Sequence, residues 1–373
     1  MKTQINKTRN KTINKTRNKT RNKTINKTIN KTRNKTRNKR NKTKKNTQYL
    51  PMNHINKIVY KASKKDYVLL GESTHGTREF YNTRLNITKR LINNYKFNTV
   101  FLETEWSLGY KLNKYIHSKL KINAETLLEE TFVKFPKWMT CNKYIVKLLD
   151  FMKNYNTKNT RKVYLYGIDC QDVELAKVNV CSEPDLNCPI VTEIIKNYEI
   201  MKQSNYWNAR DSFWLKIIKR VAKYRKSKFI LWAHNSHIGD VTANIRQQYQ
   251  INIGYLLKKI YKVYLMGFST AIGEVTAAKT WGGKGETMLI NPPIKNSFEA
   301  EFNEVAKHNN RKSFIYVCNK NLNTIKYFRY IGVIYNKANE MASHYVKTNI
   351  NKEFDVIFFF RKTRALDNCN LNN

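Results

Sequence analysis

The chain has 373 residues, with 70 Lys or Arg against 27 Asp or Glu and a formal net charge of +43. Hydrophobic residues at 41% and aromatics at 12% are too many for a chain disordered throughout. No apolar run reaches the roughly 18 residues of a membrane span, no apolar segment follows the basic N-terminus as in a secretory signal, and Cys141, Cys170, Cys181, Cys188, Cys318 and Cys369 lack CxxC spacing. A cytoplasmic protein with inert reduced thiols and no membrane partner is expected.

Residues 1–47 hold 19 of the basic residues and no acidic one, in a tandem Asn-Lys-Thr followed by Arg or Ile. Ile13, Ile25 and Ile29 are too sparse to form an apolar face, so burial cannot offset the chain entropy. The reading is a disordered low-complexity tail over 1–47 and one catalytic domain over 48–373. A polycation of this kind binds nucleic acid non-specifically by counterion release. Expansion of a short AT-rich coding repeat accounts for the same pattern, since Lys, Asn, Ile and Tyr abound along the whole chain.

Beyond the tail, short apolar runs at 67–71, 99–103, 163–169, 229–233, 263–267, 314–317, 330–334 and 354–360 read as strands buried on both faces. Between them, 77–95, 143–155 and 206–226 have helical length and spacing. The alternation predicts an α/β fold with a mainly parallel central sheet flanked by helices.

In such sheets, ligands bind beyond the carboxyl ends of the strands. The first strand runs into Gly-Glu-Ser-Thr-His-Gly at 71–76, the second into Glu103-Thr104-Glu105-Trp106, the third into Asp169, and the fourth into His234-Asn235-Ser236-His237. No GxSxG elbow, Walker A loop or GxGxxG turn is present, which argues against a serine α/β-hydrolase and against nucleotide binding. Carboxylates and imidazoles remain. A histidine can deprotonate water while a carboxylate orients it, and Arg84 on the following helix can stabilise an oxyanion. Glu72, His75, Glu103, His234 and His237 are equally competent ligands for a divalent metal. These residues alone leave the two readings open.

The segments at 71–80, 102–106 (Leu-Glu-Thr-Glu-Trp) and 232–240 (Trp-Ala-His-Asn-Ser-His-Ile-Gly-Asp) resemble the erythromycin esterase family. Blocks at 135–139, 166–169, 252–254, 267–277, 329–335, 343–345 and 363–366 extend the likeness over about 65–367. The resemblance implies a hydrolase that opens an ester or lactone of a small molecule, macrolides among them, by activating water without a covalent serine or a cofactor. It places the general base on His75, its supporting carboxylates on Glu72 and Glu103, an arginine on Arg84 and a histidine pair on His234 and His237. Asp169, His344 and Trp106 are expected to contact substrate. The alternatives are a metal-dependent hydrolase using the same cluster and a non-catalytic protein with a nucleic-acid-binding tail. Two departures from the family stand out. Asp169 and His234 are 65 positions apart, where the family carries a longer helical insertion, and Thr140-Cys141 replace an aromatic and an arginine after Met139.

Overall fold

The apolar runs pair side by side, and their register brings the polar residues that follow them to one edge. The structure, a computed structural model, describes residues 27–28, 48–118, 121–169, 171–174, 184–203, 206–245 and 250–367. The chain divides into Met1–Leu50 and Pro51–Asn373. The tail expected over 1–47 lies outside the described residues apart from Lys27 and Thr28. The second unit holds the central sheet and its helices.

Its strands are β1 (Tyr67–Leu70), β2 (Phe97–Glu105), β3 (Tyr164–Asp169), β4 (Lys228–Trp232), β5 (Val263–Ala277), β6 (Glu286–Leu289), β7 (Ser313–Val317), β8 (Lys326–Arg329), β9 (Tyr345–Thr348) and β10 (Val356–Thr363). They follow the order β7-β10-β5-β1-β4-β2-β3. From β10 to β3 every neighbouring pair is parallel, while β7 runs antiparallel to β10. The expected mainly parallel α/β architecture is what forms. β6 pairs antiparallel with the far end of β5, and β8 with β9 makes a separate two-stranded sheet. All four residues of β1 are buried, as a strand covered on both faces requires.

Helices α1 (Ile55–Ala62), α2 (Arg78–Tyr95), α3 (Trp106–His117), α4 (Ala124–Thr131), α5 (Lys143–Lys158), α6 (Pro184–Gln203) and α7 (Tyr206–Arg225) occupy the connections in the first half of this unit. The spacing of Phe80, Tyr81, Arg84, Leu85, Thr88, Leu91 and Ile92 gives α2 one buried face, with Arg84 on it. Asn142 caps α5 by accepting from the N–H groups of Tyr144 and Ile145. Among the described residues, no helix is long and apolar enough to cross a membrane.

Two expectations need correction. The run at 330–334 is not a strand: β8 ends at Arg329, and Ile331 and Ile334 make isolated bridges to Thr74 and Ala278. Those partners sit on two different elements, so no continuous ladder can grow. Cys141 is disulfide-bonded rather than reduced, whereas Cys318 is a free thiol. Spacing along a chain does not encode such an approach in space.

α3 packs on β3 through glycines. A Cβ on Gly109 would come within 1.9 Å of the Gly167 nitrogen, so only hydrogen fits there. Gly109→Ala should therefore push helix and strand apart at a cost of about 1–3 kcal/mol. The expected readout is a lower urea midpoint with an unchanged m-value.

Candidate active site

β1 delivers the first part of the site. Past Leu70, Gly71 leaves room for Asn235, whose Oδ1 would lie 2.1 Å from a Cβ at that position. Asn235 spends its amide on the Phe268 backbone, donating to its carbonyl at 2.8 Å and accepting from its N–H at 3.2 Å. The loop after Gly71 places His75 Nδ1 3.0 Å from Glu72 Oε1. The other oxygen, Oε2, accepts from Arg84 Nη2 at 2.6 Å. All three side chains are buried. The Arg84 guanidinium lies over the rings of Tyr81 and Trp232, at 4.1 and 4.8 Å from their centroids.

β2, β3 and β4 supply the second part. Glu103 Oε2 accepts the His234 backbone N–H at 2.8 Å, and Oε1 faces Arg210 Nη2 at 3.4 Å and His237 Nε2 at 3.5 Å. Asp169, at the end of β3, holds Arg210 with both oxygens, at 3.1 Å from Nε and 2.6 Å from Nη2. Trp214 Nε1 donates to the same carboxylate at 3.2 Å. His237 Nδ1 meets the buried carboxylate of Asp211 at 2.8 and 3.1 Å. The rings of His75 and His234 are tilted against each other with centroids 4.8 Å apart.

These placements separate the charges. Burial disfavours protonation of His75, but the Glu103 and Glu72 carboxylates outweigh it and raise its pKa above the ordinary histidine value. Burial likewise works against ionised Glu103; His237, His75, Arg210 and the His234 N–H reverse this and hold it below the ordinary carboxylate range. His234 is driven well below the histidine value by burial, then by His75 and His237. Glu105 is pushed up to about 8 by burial and by Asp169, although the N–H groups of Gln171 and Asp172 donate to it.

His75, Glu103, Asp169, Arg210, His234 and His237 share one cleft of about 820 Å³. Phe135, Trp207, Trp281 and Tyr330 wall it, and Glu105, Glu130, Asp172, Lys111 and Lys134 also reach it. Trp281 is 70% exposed and packs on Phe135, with ring centroids 5.1 Å apart.

Sequence-predicted residues fall into three groups. His75, Glu103, His234, His237 and Asp169 meet at the cleft. His344 also lines it, but its Nε2 accepts the Asn336 N–H at 3.0 Å and so holds its own loop. Glu72 and Arg84 stand behind His75 and do not line the cleft, so the expected place of Arg84 beside a substrate oxyanion is not where its side chain lies; it meets Glu72 instead. Trp106 is not at the cleft either. It is buried, stacks on Tyr166 at 5.2 Å and donates to Asn187 Oδ1 at 2.8 Å. The first residue of α3 is thus used for packing.

Arg210, Asp211 and Trp207 are not among the residues expected from the sequence; the flanking Trp207, Phe213 and Trp214 are a weak hint of burial that a lone Arg-Asp pair on a helix does not carry. Arg210 brings a guanidinium to the cleft. For a metal ion, the donor set is poor: both oxygens of Glu72 and of Glu103 have hydrogen-bonded partners, and Arg210 fills the space between Glu103, Asp169 and His237. Among the described residues no group of three His, Cys, Asp or Glu is arranged to hold an ion.

The model of a family described as Erythromycin esterase matches residues 92–183 and 182–363. The match begins after Glu72, His75 and Arg84. Among solved structures, a succinoglycan biosynthesis protein is 19% identical, with 86% of this chain and 96% of that one covered and a TM-score of 0.67. A Bacillus cereus protein is 17% identical over the same shares, with a TM-score of 0.69. A variant of erythromycin esterase EreC in its open conformation is 15% identical, covering 84% of this chain and 95% of that one, with a TM-score of 0.58. At these identities the likenesses establish the shared fold.

Removing one partner of the Arg84–Glu72 pair strands the other charge in the interior. Arg84→Met is expected to cost about 3–5 kcal/mol of stability in urea denaturation at neutral pH.

Proposed function

Because the chain belongs to the erythromycin esterase family, we propose that it is a hydrolase that opens an ester or lactone of a small molecule with water activated at His75. The observation that carries this reading is the buried series Arg84–Glu72–His75, which ends in the cleft beside an ionised Glu103. With Nδ1 donating to Glu72, the imidazole keeps Nε2 to take a proton from water. Arg84 holds Glu72 in place. The hydroxide equivalent attacks the carbonyl while Arg210 faces the developing oxyanion, and the intermediate then collapses with cleavage of the acyl C–O bond as His75 returns its proton to the leaving alkoxide. His234, neutral and tilted against the His75 ring, packs the base without competing for the proton. The size and aromatic walls of the cleft suit a drug-sized, mostly apolar molecule. The donor set supports a route through water alone, without a metal.

The test is hydrolysis of a 14-membered macrolide and of a panel of simple carboxylic esters by the full chain, read by mass spectrometry. A product heavier by one water is expected, with a loss of about 100-fold or more in His75→Ala. Failure with every ester would overturn the reading. Activity should also survive exhaustive chelation; loss on chelation with recovery on adding a divalent ion would instead assign the cluster to a metal.

The pH profile gives a separate check. The base must be neutral, and the pKa of His75 is raised, so kcat/KM should rise with pH through a midpoint above the ordinary 6.5. Glu72→Gln removes a charge and a hydrogen bond that favour the imidazolium and leaves Arg84 opposing it. The midpoint should move to lower pH as the maximal rate falls.

A further inference from the structure

Asp211 sits on α7 beside Arg210, is fully buried and never touches the cleft. Its carboxylate faces His237 Nδ1 at 2.8 and 3.1 Å, and its Oδ2 accepts the Ile253 backbone N–H at 2.8 Å. A carboxylate can only accept, so the proton of a neutral His237 belongs on Nδ1. The ring cannot turn over to escape this. It is stacked on Trp207 at 4.3 Å and 8°, with Trp214 at 4.5 Å. In the neutral ring Nε2 is then a lone pair at the cleft floor, 3.4 Å from the donor Arg210 Nη1 and 3.5 Å from Glu103 Oε1.

We propose that Asp211 is a positioning residue: it fixes His237 as the Nδ1–H tautomer, so that Nε2 accepts from Arg210 and aims the guanidinium at the reacting carbonyl. The tautomer follows from the geometry alone; its consequence for turnover rests on the hydrolase reading above. Asp169 grips Arg210 at Nε and Nη2, which leaves Nη1 as the nitrogen that His237 orients. Asp211→Asn puts this to the test. The amide oxygen can keep the Ile253 N–H, so its NH2 must donate to His237 Nδ1. That moves the ring proton to Nε2, which then points a donor at Glu103 Oε1 and no longer accepts from Arg210, so the guanidinium loses this anchor.

The experiment uses the full chain with 15N-labelled histidine, the His237 signals being assigned with His237→Gln. In the neutral ring of the wild type, Nδ1 should carry the proton and Nε2 should show the shift of an unprotonated nitrogen. Asp211→Asn should exchange the two. With an ester that the wild type hydrolyses, the same variant should lose about 100-fold or more in kcat while KM changes only a few-fold, as a wrong tautomer does in a serine-protease triad. An Nε2–H tautomer in the wild type would overturn the proposal, as would a variant with unchanged tautomer and kcat. If Asp211→Asn fails to fold, the wild-type spectrum decides by itself. Should no ester be turned over, the spectrum still decides on Asp211, and the failure belongs to the hydrolase reading.

Discussion

The Glu72 carboxylate, 2% exposed at the root of the site, is a polar group whose burial calls for partners of fixed geometry. The desolvation cost of an isolated buried ion is several kcal/mol, which a partner of opposite charge and good geometry offsets. Arg84 is that partner, and its own burial is eased by the faces of Tyr81 and Trp232. One ion pair therefore ties together the loop after β1, the buried face of α2 and the end of β4. The orientation of His75 depends on it, since the oxygen of Glu72 left over by Arg84 is the one that meets the imidazole.

The same device recurs where the walls of the cleft are anchored. Arg329 is buried at the end of β8 and donates to the carbonyls of Asn291, Thr270 and Ala271 as well as to Glu340. From that anchor the chain carries Tyr330, through Ile331 bridged to Thr74, along the cleft towards His344. A guanidinium suits this task because its planar fork satisfies several acceptors at once without giving up its charge. Arg84, Arg210 and Arg329 each convert a costly buried cation into a fixed distance between elements remote in sequence.

Much of this was legible in the sequence, because parallel strands deliver their carboxyl-terminal residues to one edge whatever the detailed packing. Glu72, His75, Glu103, Asp169, His234 and His237 were readable on that ground, as was the sheet itself. What failed were inferences about which way a side chain points. Arg84 lies in phase with Phe80, Tyr81, Leu85 and Thr88, so the helical period already set it on the core face and away from substrate. Trp106 opens α3 and turns into the stack with Tyr166. Arg210 and Asp211 were hidden for the opposite reason: a charged pair on a helix reads as a solvated face until its neighbours in space are known. Gly332 and the split bridge partners explain why an apolar run at 330–334 makes no strand.

The lining of the cleft differs in sign balance from the chain that carries it. Glu103, Glu105, Glu130, Asp169 and Asp172 stand there against Lys111, Lys134 and Arg210, in a chain whose formal charge is +43. Mobile anions and polyanions gather wherever the basic excess is exposed, and added salt screens that attraction within a Debye length of about 8 Å at physiological ionic strength. The ion pairs on the cleft floor are largely shielded from such screening by their burial. Ionic strength thus bears on the long-range attraction at the exposed surface far more than on the ion pairs at the cleft floor.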